Sequence, residues 1–103
     1  MNVGEADEER GRVLMRMYVA SDSAPSAQAR SQLAVLRARF GGDDWDVEIV
    51  DVFEEPDRAE ADHVLATPVL IRLFPTRRLS VIGDFADLQA VANALDLEQE
   101  VAR

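Results

Sequence analysis

The sequence predicts an α/β fold, a mixed four-stranded sheet with helices on both faces, in the order β-α-β-α-β-β-α. Three observations carry that prediction. Apolar residues alternate between strand-like and helix-like spacing through seven successive segments. The first two strand-like runs are separated by a helix, which demands a parallel, right-handed crossover, whereas the last two are separated by a short turn, which demands antiparallel pairing. Finally, Thr67-Pro68 opens an apolar run, and proline, lacking an N–H, is confined to the first residue or the edge of a strand.

Each element follows from local chemistry. Residues 1–11 are polar, acidic and aperiodic, and are expected to form a mobile arm. Residues 12–20 form a near-continuous apolar run with β-branched and aromatic members, the pattern of a strand buried on both faces. Ser23 is placed to cap a helix and Pro25 to occupy its first turn. Ala29, Leu33, Leu36 and Phe40 then form one apolar stripe, which Gly41-Gly42 terminates. In the second strand Val47, Ile49 and Val52 are expected to face the core, with Val50 interrupting the alternation. Pro56 starts a short acidic helix running to about His63. Residues 69–73 form the third strand, residues 75–78 a turn, and residues 79–82 the fourth strand. Gly83-Asp84 breaks the chain and is expected to cap the last helix, whose inward stripe is Leu88, Val91, Ala92 and Leu95. This is the thioredoxin arrangement. Residues 12–97 form the predicted domain, and residues 98–103 a tail.

Composition narrows the function. At 103 residues the chain can bury a modest core. It contains no cysteine, which excludes thiol redox chemistry and thiolate metal sites. A net charge of −9 argues against nucleic-acid binding, which needs a basic footprint. No apolar run is long enough to span a bilayer and the acidic start lacks a signal-peptide pattern, so no membrane association and a cytoplasmic location are expected. All eleven basic residues are arginine, and ten of the twenty acidic residues fall between Asp43 and Asp62. That acidic stretch is a solvated face or a docking face for an Arg- or Lys-rich partner. Catalytic readings are thin. A Ser-His-Asp triad would have to bring His63 to Ser21 or Ser23. Asp43, Asp44 and Asp46 lack the glycine and the distal glutamate of a calcium loop. No cofactor is implied. Trp45, set between acidic residues, is either a half-buried lid on the core, the favoured reading, or an exposed aromatic anchor for a partner.

Taken together, Tyr18-Val19-Ala20, Asp51-Val52, Leu65-Ala66-Thr67-Pro68, Ile82-Gly83-Asp84 and Leu95-Asp96-Leu97 resemble the KaiB family of clock proteins, with spacing that needs no insertion. The resemblance covers residues 13–97. It implies a non-enzymatic regulator that binds the ATPase ring of a KaiC-like, RecA-type hexamer and competes with a SasA-type histidine kinase. The alternative it leaves open is a cysteine-free adaptor or sensory domain for such a kinase; a degenerate glutathione-type enzyme is disfavoured by the missing cysteine. The resemblance also implies two folds: a thioredoxin-like state, monomeric or dimeric, and a β-α-β-β-α-α-β state that assembles into homotetramers. Thr67 and Pro68 mark the junction between the fixed and refoldable halves.

Departures from the family pattern shape the remaining expectations. The turn Ser21-Asp22-Ser23-Ala24-Pro25 replaces Gly-Asn-Thr-Pro. One proline, Pro75, replaces a run of two or three, and Glu48, Leu79 and Ser80 stand where cyanobacterial members carry basic residues. These differences point to a member outside the cyanobacterial clock. Ala94 stands where the family has glycine, and alanine favours helix by roughly 1 kcal/mol. The thioredoxin-like state is therefore expected to dominate, with residues 85–95 helical rather than extended. Gly83, Asp84, Ala94 and Asp96 join Thr67 and Pro68 as fold-determining positions. The partner surface is expected at Arg72, Arg77 and Arg78 and on the edge strand at Val47, Glu48 and Ile49.

Overall fold

A computed structural model describes residues 12–75 and 78–97. The arm expected at 1–11, the tail at 98–103 and the candidate residue Arg77 lie outside the described residues.

The elements are β1 (Val13–Val19), α1 (Ala24–Phe40), β2 (Trp45–Asp51), α2 (Pro56–Ala61), β3 (Val69–Phe74), β4 (Leu79–Ile82) and α3 (Leu88–Ala94), with one 3-10 turn at Gly42–Asp44. The sheet order is β2-β1-β3-β4. β1 pairs parallel with β2 and antiparallel with β3, and β3 pairs antiparallel with β4. The apolar β1 is thus a central strand, and β2 and β4 are the edges. This is the thioredoxin-like α/β arrangement the sequence predicts.

Strand alternation divides the core in two. On one face Met15, Met17, Val19 and Leu70 pack against Ala29, Leu33, Leu36 and Phe40 of α1 and Val91, Ala92 and Leu95 around α3. On the other, Tyr18, Val50, Val69 and Ile71 form a smaller cluster under Ala59 and Val64. That division corrects the expected reading of β2. Val50 is 1% exposed and does not interrupt a pattern; it faces the smaller cluster, and Val52 packs there with it. Val47 packs on the larger cluster, while Ile49 on the same face is 44% exposed because β2 is an edge and α1 does not cover its far end. Trp45 is not half-buried but 2% exposed, sealed against Gly41, where any Cβ would overlap the indole.

The helix ends are chemically explicit. Ser23 caps α1, its Oγ accepting from the Ser26 N–H, with Pro25 in the first turn. The buried Ser26 hydroxyl accepts in turn from the Ala20 N–H at 2.9 Å, tying the helix start to β1. α2 ends at Ala61, two residues before the expected limit, in a Schellman motif: His63 adopts φ 58°, its N–H donates to Glu60 O, and the Val64 N–H donates to Ala59 O. α3 ends the same way. Asp96 has φ 56°, its N–H donates to Asn93 O, and the Leu97 N–H donates to Ala92 O at 2.8 Å. Asp87 caps the start of α3, its Oδ1 accepting from the Ala90 N–H, so the cap expected at Gly83-Asp84 is corrected. Asp84 instead fixes the preceding bend, accepting from the Ala86 N–H and from Gln32. Gly83, at φ 103°, donates its N–H to Pro68 O at 2.9 Å. The Thr67-Pro68 bond is cis, as is Phe74-Pro75.

Candidate partner-binding surface

The α2 face of the sheet holds a chain of charges. Arg16 and Glu48 are register partners on β1 and β2, and the Arg16 Nε donates to Glu48 Oε1 at 3.1 Å. Arg58, from α2, pairs with the other oxygen of Glu48 at 2.7 Å. Asp62, just past α2, accepts from Arg16 Nη1 at 2.8 Å and from the Tyr18 hydroxyl at 2.5 Å. Arg78 reaches the same residue from the β3–β4 turn, donating to Asp62 O at 2.6 Å. Asp62 therefore joins β1, α2 and the β3–β4 turn.

The electrostatics follow from those contacts. Burial would raise the Asp62 carboxyl, but the hydrogen bonds from Tyr18 and Arg16 outweigh it and hold it below the ordinary value. Burial and the bond to Asp62 push the Tyr18 phenol up. Glu48 is lowered from 4.5 to about 2, first by the hydrogen bond from Arg58.

The expected partner residues fall into separate places. Arg72 is corrected: it is 3% exposed, and its guanidinium donates to Leu95 O at 2.8 Å and to Pro75 O. It ties the end of α3 to the β3–β4 turn from inside the molecule. Arg78 is exposed beside Asp62. Val47, Glu48 and Ile49 lie on the β2 edge, Glu48 and Ile49 exposed and Val47 partly covered. Arg78 and the β2 edge thus lie toward opposite edges of the sheet, with β1 and β3 between them.

Two apolar features escaped sequence reasoning. Between residues 62–66 and β3–β4 lies a small cleft, about 80 Å³, whose rim carries Leu65, 93% exposed, and Ile82, 58% exposed. Phe53 stands 72% exposed on the turn between β2 and α2. Exposure of single apolar residues has no signature in a periodicity pattern; Phe53 was recognisable only as an aromatic left over after both strand faces of β2 are assigned.

Among the described residues the candidate Ser-His-Asp triad does not form. The Ser21 hydroxyl donates to Asp51, Ser23 is committed to the α1 cap, and among the described residues no hydrogen bond joins His63 to either. Also among the described residues, no group of three or more acidic or histidine side chains is placed to hold a metal, and no helix is long and apolar enough to cross a membrane.

Comparison with known proteins agrees with this geometry. A family profile described as the KaiB domain matches residues 16–97. The circadian clock protein KaiB3 of Synechocystis sp. is 34% identical over 92 residues, covering 89% of this chain and 90% of the relative. The circadian clock oscillator protein KaiB of Prochlorococcus marinus (strain MIT 9313) is 35% identical over 89 residues, covering 85% of this chain and 74% of the relative. Among solved structures, mitochondrial thioredoxin 3 of Saccharomyces cerevisiae superposes with a TM-score of 0.65 at 20% identity, covering 88% of this chain and 83% of its own. The N-terminal domain of Synechococcus elongatus SasA superposes with a TM-score of 0.66 at 18% identity, covering 88% and 90%. At those identities the structural likeness speaks for the fold alone.

Proposed function

The chain belongs to the KaiB family, and from that premise we propose that it is a non-enzymatic regulator that binds the ATPase ring of a KaiC-like protein and so modulates a clock or stress-timing system. The observation that carries this reading is the family match across residues 16–97, nearly all of the described domain. Two structural facts support it. The chain has no thiol with which a thioredoxin-like frame could do redox work. The thioredoxin-like arrangement also leaves Arg78, beside Arg77 in sequence, exposed at the β3–β4 turn, with the β2 edge as a second surface. Arg72 is not part of the proposed contact, because it is buried.

The deciding experiment is a pull-down with the KaiC-like ATPase of the same genome, with and without ATP, and with the partner histidine kinase as the competing bait. An ATP-dependent complex with the ring is expected. No such complex sinks the proposal, and capture by the kinase alone favours the adaptor reading. Replacing Arg77 and Arg78 together by Glu is expected to weaken ring binding; unchanged affinity would remove that turn from the contact.

A further inference from the structure

Among the described residues, Phe53 is the one aromatic side chain in the exposed apolar class. It is not loosely held. The Phe53 N–H donates to Asp51 Oδ1 at 2.8 Å, and the Asp51 carbonyl accepts from the N–H groups of Glu54 at 3.1 Å and Glu55 at 2.9 Å. The second oxygen of the same carboxylate takes the Ser21 hydroxyl at 2.9 Å, which fastens the turn to the end of β1. The Phe53 N–H, helped by the Ser21 hydroxyl, holds the Asp51 carboxyl below its ordinary value against the opposing effect of burial. An aromatic presented on a turn fixed this way loses little freedom when it is gripped, and aromatics of this kind dominate protein interfaces.

The residues that follow Phe53 are mostly acidic, with Arg58 the one cation among them. Glu54, Asp57 and Glu60 follow it at three-residue intervals, so Asp57 and Glu60 lie along one side of α2, and all three are exposed. Their acidic neighbours are neutralised: Glu48 and Glu55 by Arg58, Asp62 by Arg16 and Arg78. Among the described residues Glu54, Asp57 and Glu60 have no such cation. Across the sheet, α1 carries Arg30, Arg37 and Arg39 and no acidic residue. Carboxylates without an ion pair also occur elsewhere among the described residues, at Asp22, Asp43 and Asp44 for example, but Glu54, Asp57 and Glu60 set three of them close in sequence to the exposed aromatic.

We infer that Phe53 with Glu54, Asp57 and Glu60 is a protein-docking surface, and that its occupant is a partner face offering an apolar pocket rimmed by Arg or Lys. The ring provides the pocket, so this inference rests on the ring-binding reading; it adds a contact distinct from the Arg77-Arg78 turn. The acidic stripe steers the encounter and Phe53 holds the complex.

The test is binding of the ATP-loaded KaiC-like ring, measured by biolayer interferometry at low and high salt. Phe53→Ala is expected to weaken affinity about tenfold, chiefly through faster dissociation. The triple variant Glu54→Lys, Asp57→Lys, Glu60→Lys is expected to slow association about tenfold and to abolish its decline with salt. Both should melt as the wild type does, since all four side chains are exposed. A wild-type complex that Phe53→Ala leaves within about twofold overturns the docking surface while the ring reading stands. Faster association of the triple variant overturns the stated basic partner. Absence of any wild-type complex overturns the ring reading, and this inference with it.

Discussion

Single residues here do work that their neighbours in sequence do not announce. Asp62 is 44 positions from Tyr18 and 46 from Arg16, yet its carboxylate takes bonds from both. Removing the charge by Asp62→Asn should cost about 1–2 kcal/mol, because the bonds from Arg16 and Tyr18 lose their charged acceptor and Arg16 is left with Glu48 alone. The pH dependence has a definite sign. Asp62 and Glu48 are both held below their unfolded values, so the stability they contribute is complete above Glu48's ordinary 4.5 and is lost as pH falls toward about 2. Denaturant titrations across that window should show a steep decline for the wild type and a shallower one for Asp62→Asn. Equal slopes would remove Asp62 from the account. Arg72 makes the opposite case: a cation that looks like a surface residue in sequence and is interior in the fold. Arg72→Ala should lower stability by about 2 kcal/mol or more, since the Leu95 and Pro75 carbonyls lose a charged donor. A variant that melts normally and loses only partner affinity would restore Arg72 to the surface.

Elements differ in how much of themselves is written locally. α1 is almost wholly legible, because Ser23, Pro25, the Ala29–Phe40 stripe and Gly41 each act within a few residues of their own position. β2 is not, because its apolar residues serve two cores and an open edge; only the presence of α1 on one face and α2 on the other explains why Val50 is buried and Ile49 is not. The α3 cap was within reach of the capping rule, since Asp87 directly precedes the first helical residue, but Gly83-Asp84 offered a competing break. The network around Asp62 was invisible, since nothing in either segment predicts their meeting. Helical propensity at the end of α3 leads to a direct prediction. Ala94 is its last residue, and Ala94→Gly should destabilise the thioredoxin-like state by about 1 kcal/mol, lowering the melting temperature by about 4–8 °C. Asp96 occupies a left-handed cap. Asp96→Gly should therefore be tolerated, whereas Asp96→Val should cost about 1–2 kcal/mol. Circular dichroism melts of the three variants check both statements, and a β-branched residue tolerated at 96 would contradict the cap.

At the scale of the whole molecule, a thioredoxin-like fold is built without any cysteine. The turn after β1 carries Ser21 and Ser23, both engaged in structural bonds. The chain as a whole is strongly acidic, with a net charge of −9. Micromolar protein should leave duplex DNA unshifted in a gel assay at physiological salt; a retained complex would contradict the charge argument. The sorting of charge across the sheet has a practical side as well. A cationic support would hold the protein by exposed carboxylates, Glu54, Asp57 and Glu60 among them, and so compete with a partner for that face, whereas an anionic one would repel a chain of net charge −9. With no lysine in the sequence, amine coupling finds no side chain to seize on either face. How the protein is tethered will therefore decide whether an assay ever sees the Phe53 face.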